Sequence, residues 1–392
     1  MRDKLQKIGY ERLLMTPGPT MVDERVRAAL ARPATNPDLD PDFAALYRDL
    51  CGRLAQVIGT DHDVLILSGE GLLGLEAAVC SLVEPGMKVL CIANGHFGEG
   101  FGRFVEIYGG QPVYLRGAYD HVIGADDVEA VLKEHPDIRV ATIVHCETPS
   151  GLLNPVAEIV EPLKARGIIS IVDAVSSLGG EPFKADEWGV DVVLGGSQKV
   201  LSAPPGLAFL SVSPQAWEMI TTRKTAISSY YCSLLPWHDM WLKDGVFPYT
   251  PSISDIYALD AAVNLLLEEG LDQSCARHFR IAEATRNALQ AAGLDIYPQP
   301  GAEANTVTAF RIPPGIDDAL FRQRLWEDQG VMIAGSWGAL AGKIWRIGHM
   351  GVNCHPEHLM RFFVAFERTA KEFNIPLTGS VAQAFVAFLC ES

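Results

Sequence analysis

The stretch Asp191-Val-Val-Leu-Gly-Gly-Ser-Gln-Lys199 passes from a short apolar run into a glycine-rich turn and stops on a lysine. A run this short, bounded by turn residues, reads as a buried strand. A lysine at the end of such a strand is costly unless it is exposed, paired or used covalently.

Six more runs of the same kind lie around it: Val64–Leu67, Lys88–Ala93, Pro112–Leu115, Val140–His145, Ile168–Val172 and Leu207–Val212. Between them stand patterns with apolar residues at helical spacing, such as Leu72–Val83 and Asp127–Glu134. Strands that alternate with helices predict an α/β fold, with a mainly parallel seven-stranded sheet flanked by helices. Ligands of such sheets bind beyond the carboxyl ends of the strands. Five runs end there in polar, turn-rich clusters: Ser68-Gly-Glu-Gly, Asn94-Gly-His-Phe, Glu147-Thr-Pro-Ser-Gly, Asp173-Ala-Val-Ser-Ser and Gly195-Gly-Ser-Gln-Lys. Their convergence on one site is the expectation.

The texture changes near Pro251. One long helical pattern, Ile256 to Gly293, leads to candidate strands at Thr306–Arg311 and Lys343–Ile347 and to a closing amphipathic helix over His355–Phe373. A last helical pattern covers Thr378–Ser392. The expected division is an N-terminal segment (1–20), a large domain (21–258) and a smaller C-terminal α/β domain (259–392).

The composition of the 392 residues excludes several classes. Hydrophobic residues make 48% and charged residues 20%, as in a globular enzyme with a sizeable core. The formal net charge of -16, without a basic cluster, argues against nucleic acid or an anionic membrane as partner. No run approaches a membrane span, and the charged start through Arg12 lacks the apolar core of a signal peptide. Eight scattered cysteines without paired spacing fit free thiols in a reducing cytoplasm, and no metal site is expected.

Asp173 ends the run Ile169-Ser-Ile-Val-Asp, 26 residues before Lys199. A lysine for a Schiff base and a carboxylate to keep a pyridine nitrogen protonated are what pyridoxal phosphate requires. The Ser68-Gly-Glu-Gly turn opens a helix, where backbone N–H groups make an anion site suited to a phosphate. Phe97 is a candidate to stack on the ring.

Thr16-Pro-Gly-Pro, Val172-Asp-Ala-Val-Ser-Ser, Gly196-Ser-Gln-Lys with Ala203-Pro-Pro-Gly, Tyr249-Thr-Pro-Ser and Arg346-Ile-Gly-His-Met-Gly together resemble the alanine/serine–glyoxylate aminotransferases. These belong to the class V, fold-type I enzymes that use pyridoxal 5'-phosphate. The resemblance spans nearly the whole chain. It implies that Lys199 carries the cofactor and shuttles the substrate proton, that Asp173 holds the ring nitrogen, that Phe97 stacks on the ring and that Thr148 bonds its edge. It also implies a phosphate cup of Ser68, Gly69 and Gln198, with Glu70 a cofactor-binding candidate in the same turn and Thr250 reaching the cup of a neighbouring subunit in a homodimer. Arg346 would grip the substrate carboxylate in a bidentate pair, with Gly18 and Trp337 beside it. The implied reaction is ping-pong transfer of an amino group from a small amino acid, of the alanine or serine type, to a small 2-oxo acid such as glyoxylate or pyruvate.

Glu70 departs from the usual pattern, since a carboxylate beside a phosphate is repelled unless it caps the helix itself. Phe247 stands where the glyoxylate enzymes often carry a phosphate-binding tyrosine. Both features resemble the pyridoxamine–pyruvate aminotransferase branch, in which no cofactor is held tightly and pyridoxal or pyridoxamine is the substrate. Ser197-Gln198 and Trp337 differ from that branch, so both readings stay open, and a lyase of the same fold is a third.

Overall fold

The computed structural model describes residues 12–391. The charged start, 1–11, and Ser392 at the end of the last helical pattern lie outside them.

The sheet strands in chain order are β1 (Asp63–Ser68), β2 (Lys88–Ala93), β3 (Gln111–Arg116), β4 (Val140–Val144), β5 (Ile169–Asp173), β6 (Val192–Gly196) and β7 (Leu207–Val212). They form one sheet in the order β1-β7-β6-β5-β4-β2-β3. Only β7 runs antiparallel to its neighbours, so the mainly parallel seven-stranded sheet is present as expected. Every residue of β4, β5 and β6 is buried, which is why these strands read as unbroken apolar runs rather than as alternation.

Helices cover the sheet. The first long one, α1 (Pro41–Ile58), starts where the Asp40 carboxylate accepts the amides of Asp42 and Phe43, and ends at Gly59 with φ +73°. Two others leave the carboxyl ends of strands: α2 (Gly71–Leu82) follows β1 and α3 (His96–Ile107) follows β2. The single helical pattern over 256–293 is in fact two helices, α4 (Ile253–Glu269) and α5 (Leu271–Ala291). They part at Gly270, whose φ of +91° no helix accommodates.

Beyond α5, β8 (Val307–Arg311) pairs antiparallel with β9 (Ile344–Gly348), and α6 (Pro356–Glu372) packs below them. Phe310, Phe321, Trp345, Phe362 and Phe366 centre a second hydrophobic core. Leu13 and Met15 belong to this core, and Leu13–Leu14 pairs parallel with Val331–Met332. The segment that begins the described chain is therefore packed with its last third. No helix among the described residues is long and apolar enough to cross a membrane.

Candidate active site

The parallel strands deliver their polar ends to one place. A cavity of about 220 Å³ is lined by Glu70 after β1, Phe97 after β2, Thr148 after β4, Asp173 and Ser176 at the end of β5, and Gln198 and Lys199 after β6. Gly18, Pro19 and Trp337 close it from the N-terminal segment and the C-terminal part. All five turn-rich clusters thus contribute to a single wall.

Lys199 is half-buried, and its Nζ donates to the carbonyl of Pro17 at 2.7 Å. Burial, then the charge of Arg346, pulls its pKa down to about 8, while Asp173 and Glu70 act in the opposite sense. Gly18 makes the close approach possible: at φ +95°, a Cβ there would stand 2.7 Å from Nζ. Asp173 is buried and accepts the amide of Val175 at 2.9 Å. Burial pushes its pKa up to about 6, against that amide and the nearby Lys199 charge. The hydroxyls of Thr148 and Ser176 hydrogen-bond to each other.

At the start of α2, Glu70 Oε1 accepts the amide of Leu72 at 3.1 Å, so this carboxylate caps its own helix. Its Oε2 accepts Nε2 of Gln198 at 3.2 Å. Among the described residues, the Oε1 of Gln198 is buried without a hydrogen-bond partner. An amine of lowered pKa and a buried carboxylate on one cavity, the pair needed to hold the aldehyde carbon and the ring nitrogen, fit pyridoxal phosphate. Among the described residues no group of three or more metal-ligating side chains stands together.

Arg346, on β9, is buried. Its Nε donates to the carbonyl of Gly335 at 2.7 Å and its Nη1 to that of Thr148 at 3.0 Å. The guanidinium lies 4.9 Å from the centre of the Trp337 ring. Burial first, and then Arg322, lowers its pKa to about 10. Thr148 and Trp337, both touching it, line the cavity; the guanidinium itself stands behind them.

Besides Arg346, three candidate residues are not on the cavity wall. Ser68 accepts the hydroxyl of Tyr231 at its carbonyl and the amide of Ser252 at its Oγ. The amide of Gly69 donates to the carbonyl of Gly206 at 2.7 Å. Thr250 is exposed, and Ser68 ties its segment to the end of β1. Phe247 is buried and stacks on Trp241 at 4.3 Å in the aromatic core around Tyr47.

Sequence reasoning gave no role to Ser176, Val175 or the carbonyl of Pro17. Ser176 lies in the quoted cluster after Asp173, so that cluster's polarity was the available signal. A backbone carbonyl leaves no signal at all.

The fold is that of the fold-type I aminotransferases. The chain belongs to the class-V aminotransferase family, whose profile matches residues 22–372. It is 37% identical to an uncharacterised aminotransferase of Methanocaldococcus jannaschii, covering 94% of this chain and 95% of that one. It is 36% identical to the pyridoxamine–pyruvate transaminase of Mesorhizobium japonicum, covering 88% of each. The crystal structure of ureidoglycine–glyoxylate aminotransferase from Bacillus subtilis superposes with a TM-score of 0.94 at 32% identity, covering 98% of this chain and 99% of the other. The chain is thus an aminotransferase of a family that works with pyridoxal phosphate.

Proposed function

We propose that this enzyme moves an amino group from a small amino acid, of the alanine or serine type, to glyoxylate or pyruvate in a ping-pong reaction. The observation that carries the reading is the Lys199 amine, partly deprotonated near neutral pH by burial, on the same small cavity as a buried carboxylate. Pyridoxal phosphate, when bound, supplies the electron sink that weakens the substrate Cα–H bond. Lys199 holds the cofactor and then moves the proton from Cα. Asp173 keeps a proton on the ring nitrogen, Phe97 forms one wall against the ring and Thr148 bonds its edge.

Ser68, Gly69 and Gln198 are the groups of the phosphate cup, Glu70 caps the helix beside it, and Thr250 completes the cup of a second subunit in a cytoplasmic homodimer. The large domain (21–258) supplies these groups and the smaller one (259–392) supplies Arg346. Arg346 orients the substrate carboxylate by a two-point contact once Trp337 yields, with Gly18 bounding the space for the side chain. In the test, Lys199→Ala abolishes both the visible absorption of the bound cofactor and transamination of alanine. Retention of both sinks the reading.

A second reading has its own support: the Glu70 carboxylate already satisfies the amide of Leu72 in the first turn of α2, the place a phosphate takes. It treats free pyridoxamine as the substrate, as the name of the Mesorhizobium relative states for that protein. Purified protein would then be colourless and would consume pyridoxamine with pyruvate, and Glu70→Ala would impair pyridoxamine use far more than alanine use.

A further inference from the structure

Glu147 is fully buried, three residues beyond the end of β4, and among the described residues no cation forms a salt bridge with it. Its Oε1 accepts the amide of Gly98 at 2.6 Å and its Oε2 the amide of Phe97 at 3.2 Å, two of the free amides in the first turn of α3. The chain is shaped around this carboxylate. A Cβ at Gly95 would fall 2.0 Å from its carboxyl carbon, and one at Gly98 would fall 3.3 Å from Oε1. Burial pushes the acid's pKa up to about 7, and the two amides pull it back. A negative group at a helix start is favoured there, yet surface residues would serve as caps without burial. What the buried position adds is a fixed link between two walls of the cavity. The ring of Phe97 lines one side, and Thr148, next in the chain, lines another and accepts Arg346 at its carbonyl.

We propose that Glu147 is a positioning residue: its carboxylate anchors the first turn of α3 and thereby sets the Phe97 ring against the cofactor. The inference rests on the reading of Phe97 as the stacking wall.

The experiment measures pyridoxal phosphate affinity, visible circular dichroism of the bound cofactor and thermal midpoint for wild type, Glu147→Gln, Phe97→Leu and the double variant. A glutamine keeps one acceptor but turns an NH₂ toward one of the two amides. Glu147→Gln is expected to weaken cofactor binding by about tenfold and to diminish the induced dichroism. The double variant is expected to be hardly worse than Phe97→Leu alone, because both changes act through one ring. Glu181→Gln is the control: that buried carboxylate accepts the amide and side chain of Asn305, away from the cavity. Equal effects of Glu147→Gln and Glu181→Gln on affinity at a matched drop in midpoint, or additive effects with Phe97→Leu, overturn the proposal. If wild type binds no cofactor, the functional reading itself fails instead. Should Glu147→Gln not fold, Glu147→Asp, which keeps the charge but shortens the reach, carries the same comparison.

Discussion

Lys199, half-buried, and Arg346, buried, are two cations that differ in what loss of water does to them. The lysine amine, brought down to about 8 by burial and by Arg346, becomes a nucleophile near neutral pH. Capture of added pyridoxal phosphate by the cofactor-free protein should therefore quicken as pH rises through about 8 and then level off. Stopped-flow absorbance across that range checks this, since an unshifted lysine would keep gaining rate to far higher pH. Arg346, by contrast, stays charged, and its two carbonyl contacts fix the plane of the fork. If Arg346 orients the substrate carboxylate as proposed, Arg346→Lys keeps the charge and loses the two-point contact, so KM for alanine should rise by about tenfold or more with the cofactor spectrum unchanged. Steady-state kinetics with a spectrum of each preparation tests it.

The elements were largely legible because buried parallel strands announce themselves as apolar runs, and all seven sheet strands stand where such runs do. Helix termination was less so. Gly270 sits in an otherwise continuous apolar periodicity, and an isolated glycine there is compatible with an unbroken helix until its φ is known. Phe247 shows the same limit for side chains, since an aromatic in a core and an aromatic near a ligand look alike in one sequence. Glu147 was visible as part of a polar cluster, but the amides it serves belong to residues 50 positions away. Close contacts between elements are also silent. Gly351, in the short 3-10 turn Gly351–Asn353, has φ +58°, and a Cβ there would lie 2.0 Å from Ser202 Oγ and 2.2 Å from the carbonyl of Val200. Gly351→Ala should cost more than about 2 kcal/mol, measured by urea unfolding. Adding Ser202→Ala should restore only part, because the carbonyl stays.

Over the whole molecule, buried acids leave a mark on stability. Asp173, Glu147 and Glu181 are each raised by burial, to about 6, 7 and 7 from ordinary values of 3.8, 4.5 and 4.5. The folded chain therefore binds these protons more tightly than the unfolded chain. Their contribution is full below the ordinary carboxylate range and is lost as pH rises through 6 to 7. Relative to Glu181→Gln, cofactor-free wild type should lose stability between those limits; denaturation midpoints measured at several pH values decide it, and parallel curves would contradict the assignment.

The pairing of Leu13–Leu14 with Val331–Met332, and the reach of the Pro17 carbonyl to Lys199, also bear on how the enzyme is born. On the ribosome the first of these segments emerges long before the second, so it waits without its partner while the sheet assembles. The roof over the lysine closes only after the segment near residue 331 has left the tunnel. Nascent chains halted short of that point should hold a formed sheet and an open, unroofed amine.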